Sequence, residues 1–139
     1  MCYNVYGDFM LETIINILDE SDVIREYIDD RVQTLYDDGG ELYYDNDLVA
    51  YLRSDKNIAA LPIEDFNILV SIIIAAVNNK LEFRRYVEAD AEDKSNDYEY
   101  YGYDDRASAF WHLREKQLGS YNKTLSDCYR EYVEERKVK

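Results

Sequence analysis

Apolar residues recur at helical spacing along most of the chain. Asp8 can cap a first helix, in which Phe9, Leu11, Ile14, Ile15 and Leu18 are apolar. Asp22 can cap a second helix that runs to about Tyr36, with Ile24, Ile28, Val32 and Leu35 on one face, and Gly39-Gly40 stops it. The stretch Leu42-Tyr43-Tyr44 reads as extended and leads into a short helix around Leu48, Val49 and Leu52 that Asp45 can cap. Pro62, the only proline, is well placed at the start of the next helix.

The segment from Ile63 to Asn79 is the most apolar in the chain, and its polar residues Glu64, Asn67, Ser71 and Asn78 fall on one thin stripe. A helix that is apolar almost all round is a central, buried one. Leu81 to Ala91 reads as a further helix, separate from it or continuous with it. Residues 90–105 have no period that would bury a face, which predicts a long acidic, tyrosine-rich loop. Arg106 to Leu118 predicts a helix with Phe110, Trp111 and Leu118 toward the core, stopped by Gly119. A last helix carries Leu125, Cys128, Tyr129, Tyr132 and Val133. The expectation is a mostly α fold: one domain over 1–139, compact around a buried helix at about 63–79, with room for a few short strands. The C-terminal helical pair at 106–139 is too short to stand alone and should pack on the rest.

Charge changes this picture. Residues 1–105 carry 25 acidic against 8 basic residues, a net of −17, whereas residues 106–139 carry 5 against 8. Such a balance is the wrong sign for direct binding of DNA or RNA, which requires Lys and Arg to displace counterions from phosphates. It also disfavours anionic membrane surfaces. The longest apolar run, Phe66 to Val77, is interrupted and reads as too short for a membrane span, and the N-terminus has no signal-peptide pattern. The expected compartment is a cytoplasm, where Cys2 and Cys128 stay reduced.

Two constellations stand out. Asp22, Glu26, Asp29, Asp30 and Asp37 share one face of the second helix, with Asp38 beside them and only Arg25 and Arg31 flanking the row. Like charges at i,i+4 cost a few tenths of a kcal/mol, and a face shaped for solubility alone usually mixes signs. The row extends over about 22 Å at ~1.5 Å rise per residue. That is one carboxylate per ~4–5 Å, comparable with the ~3.4 Å axial phosphate spacing on one DNA strand. The plainer reading is a solvated face of an acidic protein. The second constellation sets Tyr98, Tyr100, Tyr101 and Tyr103 among Asp97, Glu99, Asp104 and Asp105. Tyrosine beside carboxylate suits arginine-rich partners; the plainer reading has two of these tyrosines covering the core.

No catalytic set, cofactor motif or metal site can be assembled. Asp45-Asn46-Asp47 opens like a calcium loop, but Ala50 stands where glycine is needed and Lys56 where a bidentate glutamate is needed. One histidine and two distant cysteines do not make a zinc site. His112, beside Trp111, reads as a packing or capping residue.

The Asp29-Asp30 and Asp37-Asp38 doublets, the acidic stretch at 88–93 and the Tyr/Asp mixture at 97–105 resemble small acidic, phage-borne inhibitors that imitate DNA, the anti-restriction and anti-CRISPR proteins. The resemblance is one of composition and charge layout over 1–105. It implies an inhibitor, not an enzyme, that occupies the basic nucleic-acid-binding groove of a host defence nuclease or CRISPR complex. The basic excess after residue 105 implies a one-sided acidic face. Two other classes stay open: an immunity protein or antitoxin that neutralises a basic nuclease toxin, and a structural or assembly subunit, self-associating or not.

Overall fold

The computed structural model describes the backbone from Cys2 to Lys137 and side chains from Met10 to Arg136. Seven helices and no strand are present among the described residues: α1 (Cys2–Asp19), α2 (Asp22–Asp38), α3 (Asn46–Arg53), α4 (Lys56–Ala59), α5 (Ile63–Ser95), α6 (Arg106–Leu118) and α7 (Leu125–Lys137). The protein is mostly α, and the segment around Leu42-Tyr43-Tyr44 is irregular chain, not a strand. α1 starts well before Asp8, so that residue lies within the helix instead of capping it. The side chains of Cys2 and Phe9 are outside the described residues.

Local chemistry accounts for most boundaries. Ser21, one residue before the expected Asp22, caps α2 and accepts a hydrogen bond from the Ile24 amide. Asp22 then occupies the first turn, where its charge meets the positive end of the helix dipole. Gly39 ends α2 at φ 80°, a left-handed conformation that glycine adopts without a Cβ penalty. Asp45 caps α3 and Asp55 caps α4, each accepting from two backbone amides. The Pro62 carbonyl accepts from the Phe66 amide and opens α5.

The chain divides into two compact units. The first comprises residues 1–78 and 123–139, and the second residues 79–122. The breaks lie at Asn79 and Lys123, and α5 contributes to both units.

In the first unit, Phe66, Leu69, Val70, Ile72, Ile73 and Ala76 of α5 join Leu11, Ile14, Ile15 and Leu18 of α1 in the core, with Ile24, Leu48, Leu52 and Ile58 around them. α1 and α7 pack together, with Leu125 and Cys128 reaching this core. The thiol of Cys128 is buried there. Asp19, at the end of α1, accepts from the Leu125 amide (2.7 Å), the Ser126 amide (3.1 Å) and Ser126 Oγ (2.6 Å), and so caps α7 from a distant part of the chain. Thr124 and Asp127 add a reciprocal capping pair. Asn78 is not simply a member of a polar stripe. Its amide accepts from the Leu42 N–H and donates to the Leu42 carbonyl, both at 2.7 Å, and pins the irregular connection to α5.

In the second unit, Leu81, Val87, Ala91 and Ala109 are buried. The expected loop at 90–105 is shorter than its composition suggested, because α5 continues to Ser95. Val87, Ala91 and Ser95 recur every four residues and present a small-residue face that keeps the helix buried to its end. Glu88 joins α5 to α6 by accepting from Arg114 Nε at 2.6 Å. Ala109, not Trp111, is the buried contact of α6; Trp111 is 55% exposed, with the Arg114 guanidinium 5.2 Å from its ring centroid.

α5 is long and apolar enough by composition to cross a membrane, with a mean hydropathy of 1.4 in its most apolar window. The run Phe66 to Val77 is therefore part of a longer apolar helix than its own length implied. Of that window, 44% is buried, so the helix is partly covered by the rest of the protein.

Candidate functional site

The acidic row belongs to the first unit and is built by α2. Ile24 and Val32 are buried and Ile28 is half-buried, which fixes the rotation of the helix. Asp22, Glu26, Asp29, Asp30, Asp37 and Asp38 are consequently all exposed. The two arginines beside the row behave differently. Arg25 pairs with Asp22 at 3.3 Å and also donates to the Asp19 carbonyl. Arg31 turns inward, and its Nε reaches Asp45 at 2.9 Å. Gln33 donates to Asp37 at 3.1 Å. The last turn of α2 contains no basic residue, so Asp37 and Asp38 add to the negative end of the helix dipole.

Asp45 is the buried polar centre beneath this helix. Its carboxylate accepts from Tyr27 Oη at 2.8 Å and from the Asp47 and Leu48 amides at 2.9 and 3.3 Å, besides pairing with Arg31. Burial opposes its charge. The hydrogen bonds from Tyr27, Leu48 and Asp47, with the charge of Arg31, outweigh that and hold the carboxyl below its ordinary pKa. Tyr27 shifts the other way: burial first, then its bond to Asp45, pushes the phenol well above its ordinary value. The Asp45-Asn46-Asp47 sequence that opens like a calcium loop is thus a helix cap. Among the described residues no cluster of three or more His, Cys, Asp or Glu side chains is placed to hold a metal ion.

Sequence patterning did not single out the chain just beyond α2. Tyr43 is 80% exposed, Tyr44 is also exposed, and Glu41 accepts from Tyr43 Oη at 2.9 Å, a bond that raises the phenol's pKa. These residues continue the acidic and aromatic character of the α2 C-terminus. The available signal was the adjacency of Glu41, Tyr43 and Tyr44 to the Asp37-Asp38 doublet across two glycines.

The 97–105 segment belongs to the second unit. It is a series of turns closed by Tyr103 N–H donating to the Tyr98 carbonyl, with Gly102 at φ 84°. Its tyrosines split into two pairs. Tyr98 and Tyr103 are half-buried, and Tyr103 stacks on His112 with centroids 5.3 Å apart. Tyr100 is 84% exposed and meets Tyr101 edge to face at 5.0 Å. Asp97, Glu99 and Asp104 are exposed. Asp105 caps α6 by accepting from the Ser108 amide at 2.7 Å. His112 Nδ1 lies 2.8 Å from the Ser108 carbonyl, a local bond within α6.

No known protein family, curated protein or solved structure matches this chain.

Proposed function

We propose that this protein is an acidic inhibitor that occupies the basic nucleic-acid-binding groove of a host defence nuclease or CRISPR complex by DNA mimicry. The observation that carries the reading is the outward face of α2. Six carboxylates are exposed there, and one of the two flanking arginines is drawn inward to Asp45. A helix holds the charges in two groups along its length, averaging one per about 4–5 Å, so a partner's Lys and Arg side chains meet them without prior ordering of the inhibitor. The long-range field accelerates encounter with a basic surface, and exposed tyrosines supply contact area. The working compartment in this reading is the cytoplasm of the host cell.

Immobilised protein should capture its partner from a host lysate, release it on raising salt, and release it also on adding duplex DNA or RNA. The pure protein should give no shifted band with bare duplex DNA. Tight binding to bare duplex, or a captured partner that holds nucleic acid and this protein together, refutes the proposal.

A further inference from the structure

The second unit contains an open cleft of about 430 Å³ lined by Glu92, Ser95, Arg106, Ala107, Phe110 and Trp111. Small-molecule sites occupy about 300–1,000 Å³ and combine apolar walls with a few convergent polar groups. This cleft has both. Ala107, Phe110 and Trp111 give an apolar wall on α6, and the two rings meet edge to face with centroids 5.4 Å apart. Trp111 is 55% exposed: the Arg114 guanidinium lies over its ring and Phe110 meets it, and the rest of the indole faces solvent at the cleft.

The polar side is formed by the end of α5 and the start of α6. Ser95 is 1% exposed, and its Oγ donates to the Glu92 carbonyl at 2.7 Å and accepts from Arg106 Nε at 3.5 Å. Arg106 Nη2 and Glu92 Oε1 are 3.8 Å apart, and their side chains are 59% and 70% exposed. That separation is longer than a charge-assisted hydrogen bond, about 2.7–2.9 Å. The guanidinium, held by Ser95 and loosely paired with Glu92, and the carboxylate therefore stand side by side with donors and acceptors still directed to solvent. A zwitterion offers each what it lacks. A ligand carboxylate fits the guanidinium fork, a ligand ammonium fits Glu92, and an apolar side chain lies on the Phe110–Trp111 wall. A simple anion would face Glu92 and a simple cation would face Arg106, each without compensation.

We propose that this cleft binds a free α-amino acid with an apolar or aromatic side chain. The inference is independent of the inhibitor reading, since it uses only residues of the second unit. Trp111 is the sole tryptophan of the chain, so its fluorescence, excited where tyrosine and phenylalanine do not absorb, reports on this wall alone. Titration with L-phenylalanine should give a saturable change. Phenethylamine, which lacks the carboxylate, and 3-phenylpropionate, which lacks the ammonium, should each bind about tenfold or more weakly. Arg106→Gln and Glu92→Gln, both at exposed side chains, should each weaken L-phenylalanine by a similar factor while the circular dichroism spectrum is unchanged. Absence of a saturable change overturns the proposal. So does equal affinity for either analogue, or unchanged affinity in either variant.

Discussion

Ile73 lies on α5 with no exposed surface, in contact with the core of the first unit. Replacing it by aspartate removes an aliphatic side chain from a filled site, which costs about 2–5 kcal/mol. It also buries a carboxyl with no partner, adding about 1–3 kcal/mol even when the group takes up a proton. The total exceeds about 3 kcal/mol, a large part of the roughly 5–15 kcal/mol that holds a domain folded. Ser71 is two residues away on the same helix and exposed, so Ser71→Asp introduces the same charge without burial and should cost about 0.5 kcal/mol or less. Urea unfolding followed by far-ultraviolet circular dichroism measures both. Burial raises the pKa of the new carboxyl, so the defect of Ile73→Asp should grow as pH rises through its ordinary titration range and shrink in acid. An Ile73→Asp protein that unfolds at the parent midpoint, or a Ser71→Asp protein that is equally weakened, shows that the apolar face of α5 is not the structural centre of the unit.

Reversing Asp29, Asp30, Asp37 and Asp38 to Lys should leave the helix folded, because these positions avoid its buried face, and should weaken partner binding mainly through a slower on-rate in surface plasmon resonance. Reversing Glu134 and Glu135 on α7, both exposed, should change that rate little; the opposite ranking would place the interaction elsewhere. Asp45→Asn should cost about 1–2 kcal/mol by weakening the charge-assisted bonds from Tyr27 and Arg31. Because the Asp45 pKa is depressed on folding, its contribution is complete above the ordinary value of 3.8 and is lost as pH falls through the folded value. Stability measured across acid pH should therefore fall less steeply in Asp45→Asn than in the parent.

Much of the fold was legible because its signals are local. The Ile24–Leu35 stripe, Gly39, the Asp45 cap, Pro62 and the apolar run after Ile63 each act within a turn or two of helix. The 90–105 segment misled because Asp90 to Ser95 is acidic and lacks large apolar residues, while its burial uses alanine and serine packed at close range. Trp111 misled in the opposite direction, being large and apolar yet exposed. The acidic row on α2 was legible because one helix face needs only a period. The inward turn of Arg31 was not, because Asp45 lies on a different element. The amide clamp of Asn78 and the capping of α7 by Asp19 join residues far apart in sequence, and no periodicity encodes them. The sequence marks Asn79 only as the end of the most apolar stretch, and α5 runs through that point as one helix.

The capping of α7 by Asp19 also bears on the order in which the chain can fold during synthesis. The first unit is interrupted in sequence, and its closing segment starts only at Lys123. A nascent chain therefore carries every residue of the second unit before α7 exists. Until then the Leu11–Leu18 face of α1 lacks the cover of Leu125 and Cys128, and Asp19 has no helix to cap. At bacterial or eukaryotic elongation rates of about 5–20 residues per second, that interval lasts seconds, long compared with helix formation. The first unit therefore cannot be completed until α7 is made, and the apolar face of α1 is the surface a ribosome-associated chaperone would meet in the meantime.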